Sequence, residues 1–292
     1  MAKKHWWGKD PGNEGDWSTA ANWSSSGVPS ASDEVVIGPG SHPITGGLNQ
    51  SAGALGAVWV LDGYNGQIGK WNPGDATPQN LRLDCDKLFL AGTGVQYISL
   101  EHSGAIDVMV ENSTMSISPG SAGVYLSTDG TGTIGNLSVA AGCVYVSYFA
   151  DDPAATVAEA ICNGSTAKLI IGESVTTTAI TVDSGTVRSY SDQTTGTLTV
   201  SRGVMTVLGG GAITTTNMLG GNLRLGGTGT LATVNLKGGE VDANYLASAK
   251  TISALNLEEG VIHGNASWLT ISAINDRTDN ASYTLESKRR LA

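Results

Sequence analysis

Apolar residues along this chain fall in short alternating runs, and the runs recur around glycines. Counted from Gly142, positions −5, −3, +2 and +4 are Leu137, Val139, Val144 and Val146; from Gly203 they are Leu198, Val200, Met205 and Val207. Gly239 repeats the register with Val234, Leu236, Val241 and Ala243. Gly221 keeps Met218, Leu223 and Leu225 but has Thr216 at −5, and Gly164 fits worst, with Glu159 there. Alternation of period two marks half-buried strands, and the five-residue step from −3 to +2 bends the chain so that both sets stay inward. Each unit therefore reads as strand, glycine corner, strand, then a Gly/Ser/Thr-rich return such as Gly209 to Gly211 or Gly226 to Gly229.

The corner glycines 185, 203, 221 and 239 are 18 residues apart, and the series extends to Gly260 and back through Gly164, Gly142, Gly120 and Gly104 at spacings of 16 to 22. A unit of that length is one turn of a parallel β-helix, and no single turn can bury its own apolar face, so the turns must stack. The expected fold is all-β: a single-stranded, right-handed parallel β-helix, or solenoid, of about ten rungs, on the order of 45 to 50 Å long. Three segments are expected: an N-terminal arm and Trp-rich cap over 1–50, the helix over 51–274, and a polar tail over 275–292. Asp151, Asp152 and Pro153 are a helix-capping signal, so Ala154 to Ala160 is expected as one short inserted helix.

Composition narrows the function classes. Forty glycines and 2 phenylalanines in 292 residues leave too few large apolar side chains for a thick globular core, which agrees with a thin repetitive one. A formal charge of −10 argues against nonspecific nucleic-acid binding, which needs a basic surface to displace counterions. Basic residues gather at the termini, at Lys3, Lys4, Lys9, Lys288, Arg289 and Arg290, which reads first as charged, frayed ends and second as docking onto an acidic surface. Cys85, Cys143 and Cys162 show no metal-ligand spacing and are expected as small core residues or free thiols. Residues 1–30 hold no apolar leader and no run of about 20 apolar residues occurs, so neither export nor a membrane partner is expected.

Four of the seven tryptophans lie in HWWGKDPGNEGDWSTAANW, before the regular units. An open solenoid end exposes unpaired strand groups and needs a cover, a task for which Trp6, Trp7, Trp17 and Trp23 are suited. Asp16, Trp17, Ser18, Ala20, Asn22, Trp23, Ser24, Gly27, Pro29, Asp33, Val35 and Ile37 carry the pattern W…GDWSxAxNWS…GxP…DxVxI. That segment resembles the element opening many β-helical proteins of bacterial surfaces and bacteriophages, and residues 56–71 look like the rung that follows it. With no export signal, the resemblance implies a phage virion protein: a capsid decoration or cement protein, trimeric, seated on the major capsid protein lattice. Lys3, Lys4, His5, Trp6, Trp7, Trp17, Trp23, Arg289 and Arg290 are then the candidate interface residues.

The chain carries no Ser-His-Asp, HExxH, CxxC, EF-hand or phosphate-loop pattern, and no cofactor or metal is expected. One outward column, at position +3, holds Arg188, Thr206, Arg224, Asp242 and His263. Its plain reading is a solvated ladder in which an Arg224–Asp242 pair contributes at most about 1 kcal/mol. Asp183, Lys237 and Glu258 at −2 read the same way. The catalytic alternative is a tailspike-like polysaccharide depolymerase using Asp242 and Glu240, and the binding alternative is an adhesin for host glycan. Glycosidic hydrolysis ordinarily needs two carboxyl groups, and the +3 column contains one.

Overall fold

The computed structural model describes residues 2–24, 27–71, 79–113, 123–130, 132–265 and 267–277. Among these the only helical turn is Ala20–Asn22. The chain divides into two compact units, Met1–Ala158 and Glu159–Ala292, each a stack of parallel coils, and the turns number about 11 in all.

In the first unit the strands are β1 (Lys3–Trp6), β2 (Glu34–Ile37), β3 (Asn49–Leu55), β4 (Ala57–Val60), β5 (Leu81–Cys85), β6 (Lys87–Leu90), β7 (Gln96–Leu100), β8 (Ala105–Val110), β9 (Val124–Thr128), β10 (Thr133–Val139) and β11 (Cys143–Val146). They form two rows of parallel strands. One runs β1–β2–β4–β6–β8–β10, the other β3–β5–β7–β9–β11. From β2 onward each strand pairs with the strand two further along the chain, which is the connectivity of a solenoid.

Strand β12 (Ala155–Cys162) occupies the place where a short helix was expected. Ala155, Val157, Ala160 and Cys162 are buried, so the alternating apolar pattern prevails over the capping signal. Asp152 does close a turn, accepting the Phe149 N–H at 2.9 Å, but the turn leads into a strand.

The second unit continues with β13 (Lys168–Ile171), β14 (Val175–Val182), β15 (Thr186–Ser189), β16 (Thr195–Val200), β17 (Val204–Val207), β18 (Ile213–Met218), β19 (Asn222–Leu225), β20 (Thr230–Asp242), β21 (Lys250–His263) and β22 (Leu269–Asp276). Here the anticipated columns are present residue by residue. Val182, Val200, Met218, Leu236 and Leu257, all at −3, are in register and buried. So are Val187, Met205, Leu223, Val241 and Ile262 at +2.

The corner glycines stand in single file. Val204, Asn222 and Glu240 donate their N–H groups to the carbonyls of Gly185, Gly203 and Gly221 at 2.9, 3.0 and 3.0 Å. At Gly239 φ is +77°, and a β-carbon would stand 2.6 Å from the carbonyl oxygens of Gly220 and Gly221. Only glycine fits that corner.

Two polar residues intrude on the core. Thr216 is fully buried in the −5 column, and its hydroxyl has no partner. Lys250 is 2% exposed; its ammonium donates to the carbonyls of Leu246 and Ser248, both at 2.7 Å, and to the Ser248 hydroxyl at 2.9 Å. Burial lowers its pKa, and the three acceptors match its three donors. The cysteines are all buried, as small core residues.

Candidate functional site

Strand β1 places the N-terminal residues at the edge of the first row, beside β2. Within β8, Ile106, Val108 and Val110 point inward and are buried, so Ala105, Asp107 and Met109 point out. The register carries the outward position of Met109 across the row through Phe89, Trp59 and Val36 to His5. The result is a stripe of four apolar side chains on β8, β6, β4 and β2, ended by His5 on β1; Val36 within it is buried, and Trp59 and Phe89 are half-buried. The Trp59 and Phe89 rings lie 5.4 Å apart, and Met109 is 44% exposed. Beyond the strand ends Trp7 and Leu61 add apolar surface at 41% and 37% exposure.

Burial accounts for Val36, but the coil fold does not demand an apolar residue at every position of this stripe. In coils with a corner glycine its position is −4, as Ser138 relative to Gly142 shows through its pairing with Met109. The same position in the second unit holds Thr181, Thr199, Asn217, Asn235 and Asn256. There the side chains form an amide ladder. Asn235 donates to Asn217 at 2.9 Å, Asn256 to Asn235 at 2.7 Å, and Asn275 to Asn256 at 2.9 Å.

The expected interface residues separate into three groups. Lys3, His5 and Trp7 are exposed, with Lys9 Nζ 4.9 Å from the Trp7 ring centre, while Lys4 on the alternate side of β1 is half-buried. Trp6, Trp17 and Trp23 are buried against one another, with ring centres 4.7 to 6.3 Å apart. They form the core of the cap, so their indoles are not a contact surface. Arg289 and Arg290, with Lys288, lie outside the described residues.

The motif residues build that cap. Asn22, fully buried, donates to the carbonyls of Asn13 and Asp16 at 2.7 and 2.9 Å and accepts the Asp10 N–H at 2.7 Å. Trp23 Nε1 donates to the Trp17 carbonyl at 2.8 Å. Asp33 accepts the backbone N–H groups of Ala2 and Ser30, and these bonds lower its pKa.

In the second unit the +3 column is one file, as expected, but Thr206 within it is buried. The expected Arg224–Asp242 ion pair is absent among the described residues. Instead Arg224 lies 5.8 Å from the Tyr245 ring centre, and Asp242 accepts the Asn244 N–H. Glu240 does point outward, 3.3 Å from His263 Nε2 and 3.2 Å from Asn222 Nδ2. The −2 ladder is present as Lys237–Glu258 at 3.8 Å, and Asp183 is paired with Arg202 at 2.8 Å.

A cleft of about 510 Å³ opens in the first unit, its lining including Asn80, Arg82, Glu101, Asp129, Asp151 and Asp152. Arg82 grips Glu101 through both guanidinium and carboxylate arms. Burial raises the pKa of Asp152. Nearby, Tyr97, Tyr125 and Tyr145 stack with ring centres 5.0 and 4.5 Å apart. Sequence reasoning took Asp151 and Asp152 for helix caps and missed this cleft, because its walls come from different coils.

Among the described residues no group of His, Cys, Asp and Glu has the geometry of a metal site, and no helix is long and apolar enough to cross a membrane. Comparison with known proteins returns no matching family model, no matching curated protein and no matching solved structure.

Proposed function

We propose that this chain is a non-enzymatic structural protein that works by docking to protein neighbours in an assembly. The carrying observation is the stripe Val36, Trp59, Phe89, Met109 on the outward side of the first row, in which Val36 is buried, Trp59 and Phe89 are half-buried and Met109 is exposed, with a charged border beside it. Apolar patches of that kind mark protein contacts, and Trp and Met are enriched in them. The resemblance of the capped opening to phage β-helical proteins supports a virion as the assembly and decoration of the major capsid protein lattice as the role. Weak contacts repeated over a lattice add by avidity. The test incubates the protein with purified cognate capsids lacking it. It should cosediment with them, raise their rupture temperature, and release no saccharide from surface polysaccharide; capsids that neither retain it nor gain stability overturn the reading.

The cleft favours glycan binding or cleavage as the second reading. Asp152, whose pKa burial raises, and Glu101, held by Arg82, line one cleft, and glycoside cleavage ordinarily uses two carboxyl groups facing one site. Saccharide release that disappears in Asp152→Asn would favour it over assembly.

A further inference from the structure

Resting on the reading of this face as a protein-contact surface, we propose that its occupant is a second copy of the same chain, related by a two-fold axis lying along β4. The border of the stripe supplies the argument. Beside it runs a file of Lys3, Glu34, Ala57, Lys87 and Asp107, one residue per strand, in which Ala57 is buried and the charged residues reach solvent. Its signs read plus, minus, neutral, plus, minus; within the chain Lys3 Nζ lies 3.7 Å from Glu34 and Asp107 accepts from Asn136 Nδ2 at 2.7 Å, so pairing across an axis adds to these contacts and does not satisfy bare charges.

A two-fold axis along β4, in the plane between two facing sheets, sets each file against itself with the strand order reversed. Lys3 then opposes Asp107, Glu34 opposes Lys87, and Ala57 opposes its own copy. Every charge meets its opposite. The stripe obeys the same operation: Trp59 meets Trp59, Val36 meets Phe89, and Leu61, which follows β4, meets Leu61. An axis along the stacking direction instead places Lys3 against Trp7 and Asp107 against Glu111, which leaves the charges unmatched or repelling.

The patch spans five strands about 4.8 Å apart and three outward positions per strand, on the order of 500 Å² per copy. Because Val36 and Ala57 are already buried, the total is at most about 1,000 Å², at or below the lower bound for a specific interface, so the pair is weak and reversible. Exposed charge pairs contribute little affinity, so they set the register while the apolar stripe supplies the attraction. The face predicts a pair, whereas the resemblance to decoration proteins implies a trimer.

Sedimentation velocity across micromolar concentrations tests the proposal. The wild-type chain should show a reversible monomer–dimer equilibrium. Lys87→Glu should weaken it at least about tenfold, since each pair contains the altered contact twice. Adding Glu34→Lys to Lys87→Glu restores opposition at every position and should recover most of the affinity. Met109→Asp, a change at an exposed site, should weaken the pair without lowering the thermal midpoint. A monomer at all concentrations, a trimer, or a dimer indifferent to Lys87→Glu overturns the pairing. Capsid binding by a chain that stays monomeric overturns the pairing alone, whereas loss of both removes the docking reading as well.

Discussion

Thr216 is the misfit of an otherwise aliphatic column, and replacing it should stabilise the protein. It pairs with Leu198 on one side and Val234 on the other, is fully buried, and leaves its hydroxyl without a partner. A buried hydroxyl left unpaired costs about 1 to 3 kcal/mol. Valine has nearly the same shape and no such group, and it continues the column, so Thr216→Val should raise stability by about 1.5 kcal/mol. For a cooperative unit of roughly 130 residues at ~2.1 cal/mol/K per residue, that shift moves the thermal midpoint by about 5 °C.

The same substitution elsewhere supplies the control. Thr195 is also buried, but its hydroxyl meets that of Thr177 at 2.9 Å. Thr195→Val strands the Thr177 hydroxyl and should destabilise by about 1 to 3 kcal/mol. Urea unfolding of both variants reads the difference as opposite shifts in midpoint at unchanged slope. A Thr216→Val midpoint at or below wild type would mean that the hydroxyl is bonded and the column misread.

Two further outcomes follow from polar groups. Asn235→Asp removes the donor to Asn217 and should lower the midpoint, with a loss near 1 kcal/mol; an unchanged midpoint would show that the amide ladder contributes nothing. Burial pushes the Tyr97 hydroxyl up to about 12, the Cys85 thiol up to about 12 and the Cys162 thiol up to about 11, and raises Tyr64 and Tyr145 too. The unfolded chain loses these protons nearer 9 and 10, so the folded state holds more protons above that range. The contribution of these groups should therefore be level below pH 9 and fall from there towards 12, with a delayed tyrosinate absorbance; a single tyrosine transition near 10 in the folded protein would refute it.

The fold was readable wherever the corner glycines keep step. Around Gly203, Gly221 and Gly239 the alternating residues name the inward columns one by one, because stacking imposes the same burial on every coil. The reading failed at residues 154–160, where local capping chemistry at Asp151 and Asp152 competed with an alternation that only neighbouring coils could reward. The proposed docking face was half legible. Lys3, His5 and Trp7 stood out as terminal and aromatic, but Trp59, Phe89 and Met109 sit in coils without the regular glycine register. Nothing in their spacing aligned them with one another or with β1.

Outward columns are where a solenoid records function, because the inward ones are already committed to stacking. The −4 position makes the comparison internal to one chain. In the second unit it holds threonine and asparagine, and the amides satisfy one another along the ladder. In the first unit the equivalent outward position holds Val36, Trp59, Phe89 and Met109, with nothing in the coil geometry to require it. Stability alone would have been served by threonine there, as it is at Thr181 and Thr199. An apolar outward column bordered by charges of alternating sign is therefore better explained by what the face meets than by what it covers.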